Sequence, residues 1–244
     1  MNLLDIPDWI TANYPRSQNM RQLAERLAGT IGAISPFVEA NFGSNHIKSE
    51  EVLDPRIHAK SLWEGLWHLH VLWCMHAHEL ELRSPESVGS NDDGIVIYND
   101  EMIGIEATFT SWGTPGGVLA STYRNMTTGQ GNWADVDTDT AIVDQVGLVL
   151  MGKESKLAKR QPEIPRIVTL NEVFVTAGFP GFEAEIRNRR SRIVQDFQTR
   201  NPVGIMGITY DYVGHGDLFQ DPRLTLVSVG TDVNKYRGLA TVLE

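Results

Sequence analysis

Alternating apolar and polar residues predict a β-hairpin in the middle of the chain. Isoleucines recur with a period of two, at positions 95 and 97 and again at 103 and 105. That period places them on one face of a strand. Between the two runs, Asn99-Asp100 supplies residue types that tolerate the backbone of a tight turn. We therefore expect two antiparallel strands with a short connection.

A spacing of three to four residues predicts two helices before this hairpin. Ser17 has the side chain of an N-cap, and Ser35-Pro36 ends the apolar face that follows it. A second, strongly apolar helix is predicted from about Ala59 to Leu82, and Ser84-Pro85 ends it. Residues 1–86 are thus assigned to N-terminal helices that pack on a core.

The rest of the chain, residues 87–244, is predicted to form that core. A helical pattern over 140–160 precedes a strand over 166–170, and a basic helix over 183–197 precedes strands over 203–210 and 224–229. Because there is no internal repeat or low-complexity linker, we expect one continuous domain. The fold class predicted is α/β, with a central mixed β-sheet flanked by helices.

Composition is ordinary for a globular protein of 244 residues, with 41% hydrophobic and 21% charged residues. No apolar run reaches the ~18 residues of a membrane span. The N-terminus lacks the pattern of a signal peptide, and the lone Cys74 has no partner for an internal disulfide. These features predict a cytoplasmic protein without a membrane partner.

The net charge of −10 argues against a chain that coats nucleic acid over its whole surface. Residues 153–200 differ, because ten Lys and Arg there face six Asp and Glu, a balance of +4. Four arginines lie within six residues of the predicted basic helix: Arg187, Arg189, Arg190 and Arg192. One interpretation is that these arginines contact the phosphates of a nucleic acid. The other is that they lie on a solvated surface helix and balance the charge of nearby acids.

Two acids stand at corresponding places in the hairpin. Asp93 begins the first strand and Glu106 lies near the end of the second, so antiparallel pairing brings them to the same end of the sheet. Two converging carboxylates can hold a divalent cation, which prefers hard oxygen ligands. An otherwise apolar hairpin has no structural need for both acids. We therefore interpret Asp93 and Glu106 as ligands for a divalent cation.

The order acid, strand, turn, strand, Glu-x-polar resembles the nuclease superfamily named for its P-D…(D/E)-x-K signature, which includes many restriction endonucleases. The resemblance covers about the middle third of the chain. Asp92 stands at the position of the proline and Thr108 at that of the lysine. In that superfamily the acids bind Mg²⁺ and the lysine helps to activate water. The resemblance implies a restriction-endonuclease-like core.

The resemblance further implies an endonuclease that depends on Mg²⁺ (or Mn²⁺) and acts on DNA, in restriction or phage defence, and a homodimer if both strands of a duplex are cut. Thr108 would orient water or bind the metal through its backbone carbonyl. Lys153 or Lys156 would supply the missing charge unless they are only solvated lysines at a helix end. Glu64 becomes a further metal ligand, because an acid on the preceding helix often reaches the metal in such nucleases, or it only forms a local hydrogen bond with His68, four residues later. The alternative is an inactive nuclease-fold protein that serves as a nucleic-acid-binding or assembly module, which the absent lysine and the net acidity favour.

Two further groups of residues have competing interpretations. The segment 110–133 directly follows the Glu106 strand, and Arg124 within it has the donors for nucleic-acid recognition, or belongs to a surface excursion without a partner. The second helix carries four histidines: His68, His70, His76 and His78. No two of them are three or four residues apart, as ligands on one helical face would be. Packed or hydrogen-bonded histidines are therefore expected.

Overall fold

Six strands form one sheet in the computed structural model of this protein. The structure describes residues 2–39, 42–43, 60–109, 164–171, 205–211, 217–228 and 234–244. In chain order the strands are β1 (Glu81–Arg83), β2 (Gly94–Tyr98), β3 (Glu101–Phe109), β4 (Arg166–Asn171), β5 (Ile205–Asp211) and β6 (Leu226–Ser228).

The spatial order of the strands follows the chain, β1-β2-β3-β4-β5-β6. The pairs β1–β2, β2–β3 and β5–β6 are antiparallel, whereas β3–β4 and β4–β5 are parallel. The acid-bearing hairpin β2–β3 thus lies within the sheet, and β3 is the strand at which the pairing changes from antiparallel to parallel. The predicted α/β class with a mixed sheet is confirmed.

Four α-helices belong to the described residues: α1 (Ile6–Asn13), α2 (Gln18–Ile34), α3 (Lys60–Ala77) and α4 (Arg237–Leu243). The predicted N-cap of α2 is confirmed, because the Ser17 Oγ atom accepts a hydrogen bond from the Met20 N–H at 3.3 Å. The pattern did not predict α1, α4 or β1. None of the described helices is long and apolar enough to cross a membrane.

The prediction for α3 was wrong at its C-terminal end, because the helix stops at Ala77 and not near Leu82. Glu79 takes a left-handed backbone conformation with φ of 59°. The Leu80 N–H then bonds back to the Met75 carbonyl at 3.1 Å. This pattern closes a helix, usually with glycine in the left-handed position. Leu82 instead lies buried in β1, opposite Val96.

The predicted hairpin is confirmed. Asn99 and Asp100 both have positive φ, at 50° and 63°, which is the backbone of a two-residue turn that matches the twist of antiparallel strands. Tyr98 pairs with Glu101 beside the turn, and Gly94 pairs with Ile105 at the other end. The strand predicted over 166–170 is also confirmed, as β4.

Successive side chains of β3 alternate between a face that packs on the hydrophobic core and the opposite face of the sheet. Ile103 and Ile105 are fully buried and belong to one hydrophobic cluster with residues of α1, α2 and α3. Helix α3 packs on β3. Because neighbouring side chains of a strand point to opposite sides, Glu106 projects from the face of β3 opposite to Ile105.

Several predicted elements lie outside the described residues. They are the helix over 140–160, the basic helix over 183–197 and the segment 110–133. The same holds for the candidate residues within them: Lys153, Lys156, Arg124, Arg187, Arg189, Arg190 and Arg192.

Candidate metal centre

Asp93 and Glu106 lie at the same end of the hairpin, as the sequence indicates. The antiparallel register runs from Tyr98–Glu101 to Gly94–Ile105, and the two acids are the next residue on each strand. The Asp93 N–H donates to the carbonyl of Ile105 at 2.9 Å. The backbone of Asp93 is therefore still attached to β3 beside Glu106.

The carboxylate of Asp93 is held by the backbone of β3. Its Oδ2 atom accepts a hydrogen bond of 2.7 Å from the N–H of Ala107, the residue directly after Glu106. A carboxylate has about four lone-pair directions and accepts from several donors or a cation at once. The bond from Ala107 orients the Asp93 side chain towards β3.

Glu106 is buried, with 3% of its surface exposed. An ionised carboxylate is costly to bury unless charged or hydrogen-bonding groups compensate it. Thr108 lies two residues further along β3, on the same face, and is 6% exposed. Its Oγ1 atom has no hydrogen-bond partner within the described part of the chain. Glu106 and Thr108 thus place a carboxylate and a hydroxyl side by side.

The Trp67 Nε1 and the Thr169 Oγ1 are also buried without a partner among the described residues. Thr169 is level with Ala107 in the β3–β4 register, and Ala107 packs on the hydrophobic cluster. Thr169 therefore belongs to the face of the sheet opposite to Glu106. Of these groups, the Thr108 hydroxyl is the one beside the acids.

A buried ion pair lies next to the candidate centre, and sequence reasoning missed it. The Arg166 Nε donates to Asp92 Oδ1 at 2.9 Å, and the two side chains are 1% and 0% exposed. The Ser90 hydroxyl donates to the other Asp92 oxygen at 2.7 Å. Asp92 is therefore bound by protein groups through both oxygens.

Gly104 makes room for this ion pair. A Cβ atom on Gly104 would lie 2.7 Å from Asp92 Oδ2 and 3.1 Å from Arg166 Cγ. Gly104 also pairs with Arg166 in the β3–β4 register, two residues before Glu106. A glycine inside a strand is a signal of close approach by another group, so the sequence did hold one indication of this contact.

Glu64 lies on α3 and is partly exposed. One helical turn later, the Nε2 atom of His68 lies 2.6 Å from the backbone oxygen of Asp93. Helix α3 thus contacts the hairpin next to the two acids. Within the described residues, no group of three His, Cys, Asp or Glu side chains has the arrangement of a metal site.

The expectation of packed or hydrogen-bonded histidines is confirmed for His68, His70 and His78. The buried His70 accepts the Phe219 N–H at Nδ1 (3.1 Å), and its Nε2 faces Cys74 Sγ at 3.5 Å. Burial lowers the pKa of His70 to about 3, although the charge of Asp221 opposes the shift. His78 Nε2 bonds to the Pro222 carbonyl at 3.2 Å. The remaining His76 is exposed on α3, with its ring 6.3 Å from that of Phe37.

A cleft of about 580 Å³ lies at the turn end of the hairpin. There the carboxylate of Glu101 accepts from Lys235 Nζ at 2.8 Å and from Tyr236 Oη at 2.7 Å. Glu106 is five residues further along β3, a separation of roughly 17 Å. The cleft therefore does not belong to the candidate metal centre. Its lining residues are Tyr98, Asn99, Asp100, Glu101, Met102, Ile164, Pro165, Lys235 and Tyr236.

The fold and the site together define a mixed α/β sheet protein with two acids at the end of an internal hairpin. Comparisons with protein-family models, with curated proteins and with solved structures give no match for this chain. The functional argument therefore rests on the geometry of the hairpin and on the residues around it.

Proposed function

We propose that this protein is a metal-dependent endonuclease that hydrolyses phosphodiester bonds in DNA on a restriction-endonuclease-like core, in restriction or phage defence. One observation carries the proposal. The carboxylate of Asp93 bonds to the backbone of β3 at the residue after Glu106, so the two acids lie on neighbouring strands at one end of the hairpin. The superfamily that the sequence resembles has its metal-binding acids in this order.

The residues at this place fit a hard divalent cation. Carboxylate and hydroxyl oxygens are the ligands that Mg²⁺ and Mn²⁺ prefer. The buried Thr108 hydroxyl without a partner among the described residues is a polar atom whose burial is costly until it is hydrogen-bonded. A hydrated cation next to Glu106 would supply that partner.

Asp93 and Glu106 would hold the cation, with Glu64 reaching it from α3. When bound, Mg²⁺ or Mn²⁺ would polarise the scissile phosphate and lower the pKa of a coordinated water. Thr108 would orient the attacking water through its hydroxyl. Lys153 or Lys156 would offset the negative charge that develops on the phosphate. Phosphate contacts along the DNA are assigned to the basic residues Arg124, Arg187, Arg189, Arg190 and Arg192.

Cleavage of plasmid DNA tests the proposal. Wild-type protein is incubated with supercoiled plasmid in Mg²⁺, in Mn²⁺ or in a chelator, beside the variant Glu106→Gln. The wild type should nick or linearise the plasmid only with the metal, and Glu106→Gln should not, because the amide is a poor ligand in place of the carboxylate. Glu101→Gln is the matched control, since it changes an acid of the same strand far from the centre, and it should cut normally.

The second candidate is a nuclease-fold protein that binds nucleic acid or assembles with a partner without cutting. Two observations favour it. Thr108 stands where the superfamily has a lysine, and the net charge of the chain is −10. If wild-type protein binds DNA but cleaves none with Mg²⁺ or Mn²⁺, the second candidate is established as a nucleic-acid-binding protein. Protein that neither binds nor cuts DNA would rule out both nucleic-acid functions.

A further inference from the structure

His68 connects helix α3 to Asp93, the acid directly before β2. Its Nε2 atom lies 2.6 Å from the backbone oxygen of Asp93. A carbonyl oxygen only accepts hydrogen bonds, so Nε2 carries the proton and donates it. The histidine is 3% exposed, and its ring meets the Phe42 ring edge-on with centroids 5.2 Å apart. Packing therefore fixes the ring that makes this bond.

Asp93 is held at three atoms, each of which fixes a different part of the residue. His68 binds its carbonyl oxygen, Ile105 accepts from its N–H at 2.9 Å, and the Ala107 N–H binds its carboxylate at 2.7 Å. The last two bonds come from β3 and set Asp93 against Glu106. The bond from His68 joins Asp93 to α3.

We infer that His68 is a positioning residue that holds the Asp93 carboxylate in place for a divalent cation, an inference that rests on the proposed metal centre. Groups that hold carboxylate ligands typically change metal affinity about 10- to 100-fold when they are removed. Without the bond from His68, Asp93 loses a direct hydrogen bond to α3. The Asp93 carboxylate is then less ordered before the cation binds. The conformational entropy lost on ordering it weakens cation binding.

Mn²⁺ binding by calorimetry tests this role without requiring catalysis. His68→Gln retains an amide N–H near the position of Nε2, whereas His68→Leu removes the donor and keeps an apolar side chain. We expect the Mn²⁺ affinity of His68→Leu to fall about 10- to 100-fold, and that of His68→Gln to stay within a few-fold of wild type. His70→Asn is the control, because it alters a buried histidine of the same helix that is bonded to Phe219 and not to Asp93.

Thermal unfolding without metal accompanies each titration, so that affinities are compared only where every variant is folded. A His68→Leu protein that is folded and binds Mn²⁺ as the wild type does would overturn the positioning role. So would an equal loss of affinity in His70→Asn, which would indicate general loosening of α3. If wild-type protein binds no Mn²⁺, the proposed metal centre itself fails. If it binds Mn²⁺ and Glu106→Gln abolishes binding, the centre stands and the His68 result decides this inference alone.

Discussion

Arg166 and Asp92 form an ion pair that joins two strands which are not neighbours in the sheet. Asp92 lies just before β2 and Arg166 begins β4, and β3 runs between them. The guanidinium also donates to the Ile164 carbonyl at 3.1 Å. The pair therefore fixes the start of β4 relative to the acid-bearing end of the hairpin, beside Gly104 and close to Glu106.

Breaking this ion pair should destabilise the fold strongly. In Arg166→Met the carboxylate of Asp92 stays buried with its main cationic partner removed, which typically costs about 3–5 kcal/mol. Arg83→Met is the matched control, because Arg83 pairs with Glu81 at the surface, where the side chains are 49% and 59% exposed. The control should lose no more than about 1 kcal/mol. Urea denaturation measures both, and equal losses would contradict a structural role for the buried pair.

Gly104→Ala should destabilise the protein, whereas Gly32→Ala should not. The new methyl group would meet Asp92 Oδ2 at 2.7 Å, and overpacking of this kind typically costs about 1–3 kcal/mol. Gly32 lies within α2, where an added Cβ meets nothing within 4 Å. Gly32→Ala should stabilise by roughly 0.5–1 kcal/mol, because alanine is the better helix former. A Gly104→Ala protein as stable as wild type would show that the ion pair can shift freely.

His70 should make the protein less stable as the pH falls. Its pKa in the folded state is lowered to about 3, mainly by burial, while the unfolded value is near 6.5. Between these values only the unfolded chain binds the proton. The contribution of neutral His70 to the free energy of unfolding is therefore fully present above about pH 6.5. It declines by up to about 1.4 kcal/mol per pH unit towards pH 3.

The variant His70→Asn isolates this effect, since asparagine can accept the Phe219 N–H and does not titrate. The free energy of unfolding is measured for wild type and variant from pH 7 to pH 4.5. The difference between the two proteins should change steadily below pH 6.5, to the disadvantage of the wild type. Parallel curves would mean that His70 is protonated in the folded protein or does not contribute to the pH dependence.

The arginines at 187, 189, 190 and 192 should set the salt dependence of DNA binding. If they contact phosphates, replacing them with glutamine should reduce the slope of log affinity against log salt by about 0.9 for each lost contact on duplex DNA. Affinity should fall about equally for all sequences, because phosphate contacts carry no base information. An unchanged slope would indicate that these arginines only balance neighbouring acids.

The elements that the pattern predicted correctly depend on residues close together in the chain. The hairpin follows from a period of two and from Asn99-Asp100, and α2 follows from Ser17 and the apolar face behind it. The end of α3 was missed for a local reason as well. Apolar residues continue past Ala77. The left-handed position that ends the helix is occupied by Glu79, whereas glycine is the residue usually found there.

By itself, the sequence determined that Asp93 and Glu106 share one end of a hairpin, because strand periodicity and turn residues act between near neighbours. Only the tertiary structure decided that Asp92 pairs with Arg166 and that His68 is the histidine that contacts Asp93. Arg166 is 74 positions from Asp92, and His68 is 25 from Asp93. Such contacts depend on how α3, β3 and β4 pack together, and no local spacing of residue types encodes that packing.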